Sequence, residues 1–305
     1  MHAQKNQKLA LFYGISTILL WSTVATAFKM ALAVLTPLQL VTGATITSFL
    51  VLLVGVTIQG NLNRILIAIR ERPIFYLCLG ALNPTVYYLT LFSGYERLPA
   101  QIAAPVNYSW AVLLPLLAAP LLKQALTRWQ LLSCAVGYLG VSIIATKGQF
   151  NGFEAVDPFG LGMILLSAVI WCLYWIFNTG NKEDPIVGLL SCTLCSLPML
   201  LILNIASNDL PALTWKAATG AIYVGLFEMG ITSMLWLKAL KTARHTSQIS
   251  SLVFLSPVCS IMLIGTVLGE SIHPSVYPGM ALILGGMAIN QWADRRQAAA
   301  TPDLA

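Results

Sequence analysis

Charge is the first thing this sequence lacks. Only 9% of its 305 residues are Asp, Glu, Lys or Arg, against 57% hydrophobic. A water-soluble domain carries about 25% charged residues, so most of this surface must face something apolar. Signatures of intramembrane chemistry are missing as well. There is no D-D-x-x-D run for metal-assisted prenyl transfer, no H-E-x-x-H and no G-x-S-x-G. The aspartates read as loop or tail residues, so the chain is not expected to be an enzyme. The six cysteines all lie in apolar stretches, and the C-x-x-C pair Cys192 and Cys195 has no second pair beside it. That excludes a disulfide framework and leaves them as small core side chains. No metal or other cofactor is expected. The formal charge of +6 is scattered over short loops without interleaved aromatics, which excludes nucleic acid as a partner. No A-x-A-like exit follows the first apolar run, which therefore reads as a span rather than a signal peptide.

Long apolar segments are what the chain has instead. About 20 apolar residues cross a bilayer as a helix, and ten segments qualify, at approximately 9–33, 37–58, 74–95, 99–121, 128–146, 158–179, 185–207, 217–240, 246–268 and 275–292. The expected fold class is all-α integral membrane. Between the second and third spans, Leu62, Ile65, Leu66 and Ile69 face one way and Arg64, Arg70 and Arg72 another, which predicts a short surface helix. Residues 293–305 are polar and are expected to form a disordered cytoplasmic tail. With the N-terminus inside, thirteen of the 17 Lys and Arg fall on the cytoplasmic side. The four outside are Lys29, Arg97, Lys147 and Lys216. A miscounted span would spoil that bias. A multi-pass protein of a bacterial cytoplasmic membrane is expected, with both termini in the cytoplasm.

The two halves resemble each other at an offset of about 147 residues. Ala100-Gln101-Ile102 matches Ser247-Gln248-Ile249, and the Gly-rich spans around Gly137 to Gly140 and Gly285-Gly286 correspond. Five spans per half, an odd number, force the second copy to enter from the opposite side. The predicted organisation is a first repeat over 1–147 and an inverted second repeat over 148–292. Such repeats are common in secondary transporters, with the site near the midplane between them.

Glu228 is the most informative side chain, because a carboxylate in mid-span costs roughly 2.5–3.5 kcal/mol on insertion scales. It reads either as a proton, cation or substrate-ammonium site or as a protonated carboxyl bonded to a neighbouring helix. Lys29 and Lys238 lie near span ends and are expected to snorkel to the interface; His245 and His273 read as loop residues. A second signal is a set of aromatics well inside spans: Trp21, Tyr87, Tyr88, Tyr108, Trp110, Trp171, Tyr174 and Trp175. Their N–H and O–H groups need partners, which favours a polar cavity, although core packing accounts for any one of them. Tyr87 and Tyr88 are adjacent on a helix, so only one is expected to face inward, and Tyr88 is preferred. Asn83, Asn107, Asn178, Thr232, Ser256 and Gln101 either tie helices together or line the cavity. Pro84, Pro105, Pro115, Pro198 and Pro257 bend their helices.

Several phrases resemble the drug/metabolite transporter superfamily, in particular its EamA-type members. They are Leu235-Trp236-Leu-Lys238-Ala239-Leu240, Ser256-Pro257-Val258 and Leu268-Gly269-Glu270. Leu20-Trp21-Ser22-Thr23, Val106-Asn107-Tyr108-Ser109-Trp110 and Ile170-Trp171-Cys-Leu-Tyr174 are similar to the YddG-like aromatic amino-acid exporters. Ala111 departs from their pattern, which has proline there, and so does Glu228, in a span usually uncharged at that point. The resemblance implies ten spans and a small-molecule substrate, with amino acids or related zwitterions favoured and export the favoured direction. It raises Trp21, Tyr108, Trp110 and Trp171 as cavity residues and brings in Trp236. The substrate-binding set is then Trp21, Asn83, Tyr88, Asn107, Tyr108, Trp110, Trp171, Glu228 and Trp236, with Glu228 also the proton-coupling candidate. The expected partners are that substrate and the lipid bilayer, with the chain a monomer or homodimer. A channel or uniporter is the alternative reading.

Overall fold

A computed structural model describes residues 6–123, 127–149, 156–209, 214–243, 249 and 252–300. Among them there are helices and connecting turns but no strand. The helices are α1 (Gln7–Leu32), α2 (Pro37–Ile58), the short α3 (Leu62–Glu71), α4 (Pro73–Arg97), α5 (Ala100–Leu122) and α6 (Arg128–Ala145). The second half holds α7 (Pro158–Asn178), α8 (Pro185–Ser207), α9 (Trp215–Thr242), α10 (Leu255–Val267) and α11 (Val276–Ala300). Eight of these are long and apolar enough to cross a membrane, and α10 is a shorter apolar helix. The eight coincide with the first eight expected spans to within about two residues at most ends. The ninth expected span begins at 246, and residues 244–248, His245 among them, lie outside the described residues. At the tenth expected span, α11 does not stop at Trp292 but runs on to Ala300, so the disorder expected from 293 does not hold for 293–300. Alanines at 293 and 298–300 continue the helix there, Ala being the strongest helix former. Residues 301–305 lie outside the described set.

Helix starts follow from local chemistry. Thr36 and Gln39 form a capping box immediately before Pro37, and Thr127 with Gln130 does the same for α6. Asp157 and Asp184 each accept backbone N–H bonds in front of a proline at the first helical position. α3 forms where the alternation of Ile and Arg predicts it, burying Ile65 and Ala68.

Packing pairs the helices in a matched way. α1 lies on the second half of α9, and α4 lies on α7; α2 packs on α8, and α6 on α11. The α6–α11 pair is drawn tight by small residues, since a Cβ on Gly140 would strike the carbonyl of Gly279 and one on Gly286 the carbonyl of Ser133.

Two helices are broken at mid-length. α4 widens into a π-type turn over Ala81–Val86, with Asn83 at φ −143°, ψ 121°. α9 does the same over Gly225–Gly230, with Gly230 at φ −100°, ψ −92°. These two non-helical residues stand 147 positions apart. Each bend starts beside a glycine pressed on the backbone of a helix from the other half. A Cβ on Gly80 would lie 2.5 Å from the Cys192 carbonyl in α8, and one on Gly225 equally close to the Ala44 carbonyl in α2. At the far side of each bend a threonine hydroxyl donates back five residues, Thr85 to the Gly80 carbonyl (3.0 Å) and Thr232 to the Phe227 carbonyl. A π-type turn leaves carbonyls without helical partners, and the threonines satisfy one in each.

Candidate functional site: a cavity between the two bends

The bends face a cavity of about 820 Å³ lined by α1, α4, α5, α7 and α9, with contributions from α2, α8 and α10. All nine residues expected to bind substrate line it. Glu228 enters from the bend of α9, and Asn83 from that of α4. The Tyr88 hydroxyl donates to Glu228 Oε1 at 3.0 Å, joining the two broken helices across the cavity. Trp21 and Trp236 pack against each other with ring centroids 5.5 Å apart. Two polar candidates also tie helices together: Asn107 donates to Ser167 (3.1 Å) and Tyr108 to Ser256 (2.7 Å).

The expectation that only one of Tyr87 and Tyr88 faces inward is overturned: both line the cavity, each 4% exposed. Neighbouring side chains on a helix point about 100° apart, and the cavity wraps far enough around α4 to meet both. Tyr87 turns to Trp171, with ring centroids 4.7 Å apart, while Tyr88 turns to Glu228. Trp171 is the hub of an aromatic wall, with Trp110 at 6.3 Å, Trp175 at 5.7 Å and Tyr174 at 6.1 Å.

The cavity is asymmetric along the bundle. It extends past Ala118 and Leu122 in α5 and Leu240 in α9 to the turn that carries Asn181 and Glu183. Toward the opposite end it stops at Phe28 and Tyr95, both buried and in ring contact (5.3 Å). Behind that plug, the turn from α4 to α5 is held from two sides. Lys29 Nζ donates to the carbonyls of Tyr95 (2.7 Å) and Leu98 (2.9 Å), the C-terminal carbonyls of α4. Lys29 therefore does not snorkel; free carbonyls at a helix end offer its ammonium a better partner. The Glu270 carboxylate accepts the N–H groups of Ala100 (3.0 Å) and Gln101 (3.1 Å) at the start of α5. Gln101 in turn donates to the Ser271 carbonyl and accepts the His273 N–H. Gln101 is thus a tie rather than a cavity residue, and Glu270, seen in the sequence only as a polar break, is its main anchor.

Asn178 lines the cavity; Ser256 meets it only through Tyr108. Lys238 is exposed and lies in a separate groove outside the cavity, with Met234, Ile186 and residues of α2. Among the described residues no cluster of His, Cys, Asp and Glu could hold a metal, and the cysteines are unpaired.

A chain solved by crystallography shares this fold, with a TM-score of 0.64 at 21% identity over 96% of this chain and 99% of its own. Among curated proteins, the chain is 26% identical to the uncharacterized transporter YvbV of Bacillus subtilis, over 80% of this chain and 83% of that one. It is 28% identical to a probable terminal-alkyne amino-acid exporter of Streptantibioticus cattleyicolor (76% and 78% covered) and 24% identical to the protein PecM of Dickeya dadantii (70% and 72%). The model of the EamA-like transporter family matches twice, over 8–146 and again over 158–291, so that one bend falls in each match. With both halves matched, the chain belongs to the EamA-like transporter family of the drug/metabolite transporter superfamily.

Proposed function

We propose that this protein is a secondary transporter that moves a small ammonium-bearing metabolite across the bacterial cytoplasmic membrane by alternating access, in the export direction. Its ten spans form two inverted five-helix repeats, and the substrate sits between the bends of the third and eighth. The observation that carries this reading is the one-ended cavity between two matched broken helices, one from each half. Broken helices at mid-membrane depth occur where backbone lines a protein cavity, and a site between inverted repeats can be exposed to either side by rocking one half against the other. The helix pairs support the repeat: α1 on α9 and α4 on α7 exchange under the same two-fold that maps α2 on α8 and α6 on α11 onto themselves. The plug at Phe28 and Tyr95 counts against an open channel.

Amino acids and related zwitterions are the class that the exporter relative brings to the site. Glu228 faces the cavity with a single hydroxyl partner and is the residue assigned to proton coupling. The open end is assigned to the cytoplasm, which export requires for loading. The test is counterflow in proteoliposomes loaded with a panel of amines and amino acids, with and without a pH gradient. Saturable exchange is expected, accelerated by an inward proton gradient. Flux that never saturates, or no flux for any compound, would sink the reading.

A further inference from the structure

We infer that the cavity selects an amphipathic amine, a ligand with one net positive charge, a flat apolar body and no free carboxylate. This narrows the ammonium-bearing set of the transport reading, on which it rests. The charges around the cavity decide it. Among the described residues that line it, the carboxylates are Glu228 and Glu183; no lysine, arginine or histidine is present. Glu183 stands at the open end and is bound by Arg64, so its charge is already matched. Glu228 lies deep in the cavity, and among the described residues its carboxylate has only the neutral Tyr88 hydroxyl. A cation satisfies that carboxylate. An amino acid brings a second carboxylate into the same enclosed space, where low dielectric strengthens repulsion and no basic side chain answers it.

Neutral donors answer a carboxylate more weakly than a basic side chain does, and several of them are engaged. Asn107 is bonded to Ser167, Tyr108 to Ser256 and Tyr88 to Glu228 itself, which leaves Trp171 Nε1 and the Thr45 and Ser260 hydroxyls as buried lining donors without a partner. Much of the remaining wall is aromatic. Tyr87, Trp110, Trp171 and Trp175 offer π faces, which attract an ammonium electrostatically and stack on a flat body. A volume of about 820 Å³ accommodates a molecule larger than a simple amino acid.

The test uses three compounds with one ring and different charge: 2-phenylethylamine, L-phenylalanine and 3-phenylpropionate. Binding to the purified protein is read by quenching of tryptophan fluorescence and by titration calorimetry. 2-Phenylethylamine is expected to bind saturably and at least about tenfold more tightly than the other two, the scale of one charge-assisted contact. Glu228→Gln is expected to remove that preference and Glu228→Asp to retain part of it. L-Phenylalanine binding as tightly as the amine, or no saturable binding of the amine, overturns the inference, and wild-type protein alone decides this if the variants do not fold. Binding does not depend on movement, so the two readings fail separately. An amine that binds but never exchanges across liposomes defeats transport and leaves the ligand class; exchange of L-phenylalanine without the amine defeats the class and leaves transport.

Discussion

The bends of α4 and α9 break their helices at matching positions with different chemistry. Each starts beside a glycine jammed on a carbonyl of the other half, each has its non-helical residue at the same place in the repeat, and each is closed by a threonine. What they present to the cavity differs: Asn83 beside Pro84 on one side, Glu228 between glycines on the other. The family match occurs in both halves, while the charge belongs to one of them only. Under the proposed transport, symmetry serves motion and its breaking serves recognition, so the two can be perturbed separately.

The largest expected effect comes from removing the odd charge. Glu228→Gln is expected to weaken amine binding at least about tenfold, and the double change Asn83→Asp with Glu228→Gln to recover part of the loss, because both bends face one cavity. If calorimetry finds the double variant no better than the single one, the bends are not chemically exchangeable. Next come the glycines. Gly80→Ala and Gly225→Ala should each cost about 1–3 kcal/mol through overpacking against backbone that cannot yield, read as thermal unfolding in detergent. The two glycines stand 145 positions apart and are not exact counterparts, so a neutral result at one and a loss at the other would show that only one bend depends on its close contact. Smaller still are Thr85→Val and Thr232→Val, each about 0.5–1.5 kcal/mol. Thr85 should be the costlier, since its hydroxyl also meets Ser196 at 2.7 Å. Least of all, Lys238→Gln should leave binding unchanged, because that side chain is outside the cavity; a change there would mean that the outer groove communicates with the bend of α9.

The first eight spans were legible because hydrophobic length is a property of the chain itself. Glu228 and the interior aromatics were legible for a related reason: a group that lipid penalises marks its own position. What the sequence hid was the second member of each contact. Glu270 looked like a polar break because the N–H groups it accepts lie about 170 positions away. Lys29 looked like a snorkelling base because nothing local reveals that α4 ends beside it. Tyr87 was assigned outward by helical periodicity, which says nothing about how far a cavity wraps around a helix. The continuation of α11 to Ala300 was missed because polarity was taken as disorder, although alanine-rich polar sequence is good helix.

The turn from α4 to α5 also bears on what an unloaded protein does. Six hydrogen bonds from Lys29, Glu270, Gln101 and His273 grip one short connection, and they must be released together for that end to part. In the proposed alternating-access cycle, at a net worth of about 1 kcal/mol each and a tenfold population change for every 1.4 kcal/mol, the unoccupied protein visits the alternative state only rarely. Under the proposed cycle the clasp is therefore a device against leakage: it keeps the membrane's proton gradient from discharging through an empty carrier. Glu270→Ala, which removes two of the six bonds, should then raise proton leak in liposomes that contain no substrate at all.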